Sequence, residues 1–257
     1  MTHPVDIVVP IPARDEEEHI VSCLTSVLLA VDEAQRAGLV AHAQVAVAAH
    51  RCSDRTAALS RRILAQHPDV DAGVHEHLSV ATVGEVRHTL IQHVTQSWPK
   101  NRRAAWVFST DADSVVPADW ITSVLAQAAV TGAAAVAGLV ALRDWRAGPT
   151  ARAEYDRIIA RGLRPDGHDH VYAANFAVNL HAYRSVGGFP SVRVGEDAAL
   201  LERLRLDGWL ILPATTPVVH TSARMPGRAR GGLGALLQHL EASPKSPSTP
   251  AVPGSIA

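Results

Sequence analysis

Cysteine is almost missing from this chain of 257 residues, with Cys23 and Cys52 its only two. They form neither a CxxC pair nor a disulfide framework, so a disulfide-stapled scaffold is excluded and a reducing, cytoplasmic compartment is the natural one. Lysine is equally rare: Lys100 and Lys245 stand in a basic complement otherwise made of arginine, a side chain suited to phosphate. With 24 Lys and Arg against 25 Asp and Glu the formal net charge is −1, and the basic excess that marks a nucleic-acid partner is absent. Long apolar runs are lacking too. The most apolar stretch, residues 132–142, is too short to span a bilayer. The opening MTHPVDIVVPIPARDEEE has neither the basic n-region nor the apolar h-region of a secretory signal. No integral membrane segment is expected, and a lipid partner would have to be met at a membrane surface. There is no internal repeat.

What is present is core-forming material. The chain is 47% hydrophobic and 19% charged, enough for one large domain or two intimate ones. Strand and helix patterns alternate through the first half, the mark of a mostly parallel α/β sheet flanked by helices. Residues 6–10 read as a buried strand. The acidic run Asp15-Glu16-Glu17-Glu18 is expected to open a helix whose dipole it complements, with Ile20, Leu24, Val27, Leu28 and Val31 on the apolar face. Residues 44–49 form a second strand, Ser53-Asp54 an N-cap for a helix through Ile63 and Leu64, residues 74–78 a weaker third strand and 83–94 another helix. A helix over 118–129 turns Trp120, Val124 and Leu125 inward. Residues 133–142 then read as a strand, 150–163 as a helix, 164–170 as a polar loop and 171–180 as a further strand. Gly187-Gly188-Phe189-Pro190 is a turn, and 196–207 a helix closed by Gly208. The organisation is therefore 1–130 and 131–242, followed by a tail, 243–257, whose Pro and Ser content predicts disorder.

The most informative segment is 106–113, WVFSTDAD. A strand buried as far as Thr110 delivers Asp111 and Asp113, flanking Ala112, at its carboxyl end, where open α/β sheets bind ligands. Hard cations such as Mg²⁺ and Mn²⁺ take oxygen ligands there and complete their shell with substrate phosphates and water. The same tripeptide also serves as a turn with an Asx cap, and alone it does not decide between the two. A second acid pair, Glu196-Asp197, has an equally plain reading as the amino-terminal acids of a helix. His75-Glu76-His77 lacks the HExxH spacing of a helical metal site and reads as exposed.

Six blocks in order, VPIPARDEEEHI, AAHRCSDRTA, WVFSTDADSVVPADWI, ANFAVNLHAYRSVGGFP, GEDAALLERLRLDGW and TSARMPGRARGG, resemble the nucleotide-sugar-dependent glycosyltransferases of family 2, over residues 6 to about 240. The resemblance implies the GT-A fold, a Rossmann-like sheet with an amino-terminal half for the donor and a carboxyl-terminal part for the acceptor. It implies metal-dependent transfer of a sugar from a nucleoside-diphosphate sugar to a hydroxyl. On this resemblance Pro12, Arg14 and Glu16 surround base and ribose. Asp111 faces the ribose or a metal-bound water, Ala112 lies against the donor, Asp113 binds Mn²⁺ or Mg²⁺, and His220 is a third metal ligand. Gly84 and Arg87 border the diphosphate, where a guanidinium forms paired hydrogen bonds with phosphate oxygens, and Arg224 is a second such group. Asp197 is the general base of a single inverting displacement and Glu196 an orienting or acceptor-binding acid, while the metal acts as Lewis acid on the leaving diphosphate. Plainer readings stand beside these: Glu16 as a helix-dipole acid, His220 as structural, Arg87 as a solvated surface group, and Asn175 as either a sugar contact or a buried amide tying two strands.

The chain departs from the family pattern at the end of the second strand. Many relatives place a base-reading aspartate there, whereas this chain has Ala49-His50 and keeps only the later Asp54. His50 and Asp54 are therefore the base-side candidates, and the donor nucleotide stays open. Stereochemistry stays open as well, because some retaining transferases share the fold and a similar metal site. Two other functions compete. A nucleotidyltransferase would show a glycine-rich loop where residues 10–14 have no glycine. A non-catalytic sugar-nucleotide-binding protein would have no need of the second acid pair. The loop 164–170 and the Arg-rich segment 224–230 are expected to border a pocket for a small polar or anionic acceptor. A homodimer is compatible with the sequence.

Overall fold

The computed structural model describes residues 3–76, 79–98, 104–225, 227 and 232–242. Its centre is an eight-stranded sheet. The strands are β1 (Val5–Ala13), β2 (Val40–Ala49), β3 (Asp71–His75), β4 (Ala105–Ser109), β5 (Ser114–Val115), β6 (Ala135–Arg143), β9 (Phe176–Asn179) and β10 (Ile211–Ser222), in the order β3-β2-β1-β4-β9-β6-β10-β5. A two-residue hairpin, β7 (Leu163–Arg164) and β8 (Gly167–His168), stands apart from it. β1, β2, β3 and β4 pair in parallel, as do β6 and β10, whereas β9 is antiparallel to both β4 and β6, and β5 is antiparallel to β10. The sheet is thus mixed but largely parallel, and its parallel strands all end on one edge.

Helices cover both faces: α1 (Ile20–Arg36), α2 (Thr56–Leu64) and α4 (Trp120–Thr131) on one, α3 (Val83–Val94), α6 (Leu180–Ser185) and α7 (Glu196–Leu206) on the other. The near-continuous apolar runs of the strands follow from this. Ile7, Val9 and Ile11 of β1, with Trp106 and Phe108 of β4, join one apolar layer, while Val8 and Val107 between them join the opposite one. Alternation of side chains across a strand buried on both faces demands apolar residues at every position. The α1 stripe Ile20, Leu24, Val27, Leu28 and Val31 is buried, each side chain contributing about 1.5–3 kcal/mol by leaving water. A third, smaller apolar cluster joins α5 (Pro149–Gly162) to α8 (Leu233–Ala242) through Trp145, Tyr155, Leu237 and Leu240.

Several segments differ from the sequence expectation. Residues 15–18 do not form the first turn of α1, which begins at Ile20 with no acid in its first turn. The chain instead makes a tight entry in which the Glu16 carbonyl accepts from the His19 and Ile20 amides, freeing the four acidic side chains for other contacts. Arg55, not Ser53 or Asp54, occupies the N-cap position of α2, although Asp54 still accepts the Thr56 amide at 2.9 Å. The expected strand 171–180 is a 3₁₀ turn, Ala173–Asn175, then β9, then α6. The polar loop 164–170 includes β8, and His168 within it is buried with its Nε2 3.0 Å from the Ala214 carbonyl. The tail 243–257, residues 226 and 228–230 of the Arg-rich segment, and residues 77–78 lie outside the described residues. Among the described residues no helix is long and apolar enough to cross a membrane.

Candidate active site

Five elements bring ionisable groups to the edge where the parallel strands end: the loop after β1, the loop after β4, α3, the amino terminus of α7, and the end of β10. β4 is fully buried along its length, and its register between β1 and β9 fixes where Asp111 and Asp113 emerge. The Asp111 carbonyl accepts from the Cys23 thiol at 3.3 Å, so α1 braces this loop. Both cysteines are free thiols, and burial pushes the Cys23 thiol far up.

Two arginine clamps organise the edge. Arg87 on α3 is 2% exposed; its Nη1 donates to Glu196 Oε1 at 2.6 Å and its Nη2 pairs with Asp111. Arg224, just beyond β10, donates through Nη1 and Nη2 to the two Glu16 oxygens at 2.7 and 2.6 Å, and its Nη2 lies 3.8 Å from Asp113 Oδ2. This bidentate pairing is the strong form of an arginine–carboxylate contact. Glu16 is also fixed through its backbone, its amide donating to Thr56 Oγ1 at 2.7 Å. Asp113 accepts from Thr221 Oγ1 at 3.3 Å. Burial, reinforced by the charges of Asp111 and Glu16, raises the Asp113 carboxyl to about 7. Burial also raises Glu196, against the opposing pull of Arg87.

The remaining candidates fall into place around these clamps or away from them. Asp197 is half-buried and accepts two backbone amides, Ala173 at 2.9 Å and Ala198 at 2.8 Å. Ala112 is buried in the apolar layer under the loop, and Pro12 is half-buried. Arg14 is exposed beside Asp15, a non-glycine residue at φ 52°. His50 is buried, its amide donating to the Ala13 carbonyl at 2.9 Å. Asp54 ties its loop to the entry of α1, accepting the Glu17 amide at 3.0 Å as well as the Thr56 amide and hydroxyl. Gly84 has a packing reason: a Cβ there would stand 2.5 Å from the Pro190 carbonyl oxygen and 2.9 Å from Glu196 Cβ. Asn175 is the buried tie, accepting from Trp120 Nε1 at 2.9 Å and donating to the carbonyls of Leu139 and Pro217.

His220 does not join the acids. Strand alternation places its exposed imidazole on the face of β10 opposite to Thr221, and it is Thr221 that reaches Asp113. Thr221, Thr56 and Phe189, whose ring lies 5.7 Å from the Arg87 guanidinium carbon, were not singled out from the sequence. The period-2 pattern around His220 held the signal for Thr221. The one group of three metal-ligating atoms in mutual reach among the described residues is Asp15, Cys52 and Asp54. Its carboxylates are already engaged: Asp15 accepts from the Ser53 amide at 2.7 Å, and Asp54 from Glu17 and Thr56.

Solved structures share this largely parallel sheet covered on both faces. The chain is similar to the mannosyltransferase PcManGT from Pyrobaculum calidifontis in complex with GDP-Man and Mn²⁺, with TM-score 0.65 and 17% identity, over 88% of this chain and 59% of that one. It is also similar to S. aureus TarS 1-349 in complex with UDP-GlcNAc, with TM-score 0.61 and 12% identity, over 91% of this chain and 65% of that one. The chain therefore spans less than two thirds of either protein's length. No protein-family model matches the chain, and no curated protein does. The fold is the GT-A glycosyltransferase fold.

Proposed function

We propose that the chain is a nucleotide-sugar-dependent glycosyltransferase that binds a nucleoside-diphosphate sugar where β1, β4 and β10 end, together with Mn²⁺ or Mg²⁺, and transfers the sugar to a hydroxyl of a small polar or anionic acceptor. One observation carries this reading. Among the described residues, the carboxylates of Glu16, Asp111, Asp113 and Glu196 pair with two guanidinium groups, Arg87 and Arg224, at a single edge, and Arg143 Nη2 reaches the Asp113 carbonyl oxygen at 3.5 Å. The four carboxylates outnumber the arginines that pair with them, and all the donors are oxygen, the set that a hard divalent cation takes. Asp111 and Asp113 are the residues that would hold it; His220, on the other face of β10, is left out. When bound, such a cation supplies Lewis-acid stabilisation of the departing diphosphate.

The protein's own groups supply the rest. Glu16 and the β1 loop are assigned to base and ribose, and Arg224, paired with Glu16 but 24% exposed where Arg87 is 2%, is assigned to the diphosphate. Asp197 takes the acceptor hydroxyl proton as the hydroxyl oxygen bonds to the anomeric carbon and the bond from that carbon to the diphosphate oxygen breaks, with inversion. Glu196, held by Arg87, orients rather than reacts. A retaining outcome is the second reading, favoured because both Asp197 oxygens already accept backbone amides, Ala173 at Oδ2 and Ala198 at Oδ1, which leaves fewer lone pairs for an acceptor hydroxyl.

The deciding experiment titrates the protein with GDP-sugars and UDP-sugars with and without Mn²⁺, following transfer or slow hydrolysis. Metal-dependent turnover supports the enzyme; binding without turnover would leave a sugar-nucleotide-binding protein, and pyrophosphate release from a nucleoside triphosphate with a sugar phosphate would make it a nucleotidyltransferase. Asp113→Ala is expected to abolish metal-dependent nucleotide binding by calorimetry, and unchanged affinity would remove it from the ligand set. Asp197→Asn is expected to keep donor affinity and cut turnover about 10²-fold or more, the scale of a lost general base. Near-normal turnover in that variant would favour retention.

A further inference from the structure

We infer that Arg87 is a positioning residue that locks the donor-side Asp111 to the acceptor-side Glu196, rather than a receptor for the diphosphate; the inference rests on the transferase reading above. The guanidinium is 2% exposed and both of its terminal nitrogens are taken by carboxylates. Its Nε is buried and meets no acceptor among the described residues, so no open edge faces a ligand. Taking a guanidinium out of water is costly, and a buried ion pair of this kind does little for stability compared with apolar packing. What Arg87 does achieve is geometric. Its planar fork joins the loop after β4 to the first turn of α7, at positions 111 and 196, which are 85 apart in sequence.

The rest of α3 supports the same role. Gly84, Glu85, Arg87 and His88 lie along one side of the helix, and each meets the segment that leads into the second acid pair. Gly84 lets the Pro190 carbonyl and Glu196 approach the helix backbone. Glu85 Oε1 accepts from Ser191 Oγ at 2.6 Å, Arg87 lies over Phe189, and His88 Nδ1 is 2.9 Å from the Tyr183 hydroxyl. One helix face thus moulds residues 183–196, and Arg87 is the member of that face that also reaches Asp111. Donor and acceptor acids are held in one register by one side chain, and a misplacement of about 1 Å in such an arrangement costs about 10²-fold in rate.

The test uses the full chain with Arg87→Met and Arg87→Lys, the active sugar nucleotide and Mn²⁺. The methionine variant is expected to lose about 10²-fold in kcat, the lysine variant less, while the affinity for nucleoside diphosphate with Mn²⁺ stays within about threefold. Hydrogen exchange is expected to speed up together in residues 110–113 and 188–197. An affinity loss that matches the kcat loss would mark a phosphate contact and overturn the inference; so would unchanged kcat, or faster exchange in only one of the two segments. Should Arg87→Met fail to fold, Arg87→Lys decides, and failure of both overturns the role, because lysine keeps the charge. A wild-type chain inactive with every donor would instead defeat the transferase reading, and the exchange readout, which needs no turnover, would still judge the coupling.

Discussion

At the scale of single residues, the acids of this chain differ by what surrounds them. Asp113 is raised to about 7 by burial among other carboxylates, whereas Glu85 is lowered from 4.5 to about 2 by the Ser191 hydroxyl and by the amides of Ala81 and Thr82. Glu85 and Thr82 form a capping box at the start of α3, the Thr82 hydroxyl accepting the Glu85 amide at 3.2 Å while Glu85 accepts the Thr82 amide at 2.8 Å. A carboxyl whose folded value is depressed adds stability above its unfolded value and loses that stability as pH falls through the folded one. The contribution of Glu85 is therefore present above pH 4.5 and fades between 4.5 and about 2. Urea midpoints of the wild type and of Glu85→Gln are expected to differ at pH 7 and to converge toward pH 2.5. A difference independent of pH would show that the charge of Glu85 is not what caps the helix. Thr82→Ala should cost about 1 kcal/mol at any of these pH values, the usual effect of a lost cap.

At the scale of elements, α3 shows what a sequence discloses and what it conceals. Its bounds, 83–94 on the sequence, are those of the structure, where a capping box of Thr82 and Glu85, three residues apart, fixes its start. The same holds for the α1 stripe and for β4, whose unbroken apolar run announced a strand buried on both faces. β10 is not evident as a strand in the sequence, since its prolines and threonines mask an element that is defined by pairing with β6. The short α6 and the reversed direction of β9 likewise depend on distant partners. The clamps were hidden for the same reason: Arg224 and Glu16 are 208 residues apart, and Arg87 and Glu196 are 109 apart, distances over which no local pattern reports. Gly84 tests this point directly. In an ordinary helix interior, Gly→Ala stabilises by about 1 kcal/mol. Here the added Cβ would meet a backbone carbonyl at 2.5 Å, and overpacking of that kind costs about 1–3 kcal/mol. Gly84→Ala is expected to lower the unfolding midpoint and to slow turnover with it, because the displaced neighbours are Pro190 and Glu196. A more stable variant would show that α3 shifts freely against that loop.

At the scale of the whole molecule, the apolar interior is not uniform. Two layers clasp the sheet and draw on strands from its whole width, whereas the cluster of α5 and α8 stands beside the sheet and rests on Trp145, Ala151, Tyr155, Leu237 and Leu240. α5 buries only Ala151 and Tyr155 along its fourteen residues, so little apolar surface opposes its release, and elements with few buried contacts open at lower free energy than the core. Arg224 lies at the junction, tied to Glu16 at one end and followed by Met225, which packs in the side cluster. The α5–α8 unit is therefore expected to loosen without disturbing β1, β4 or α1, and its opening to bear on the edge where the parallel strands end through Arg224. Native-state hydrogen exchange is expected to show α5 and α8 amides exchanging at lower urea than those of α1, β1 and β4. Leu237→Ala removes a fully buried side chain, a change worth about 2–5 kcal/mol where it acts. It should accelerate exchange in α5 and α8 while moving the global urea midpoint little, since the lost contacts belong to a unit that opens before the sheet does. If α5 and α8 were instead to exchange only with global unfolding, and Leu237→Ala to shift the global midpoint by the full amount, the side cluster would be part of one cooperative core, and motion at the Arg224 junction would require the whole fold to open.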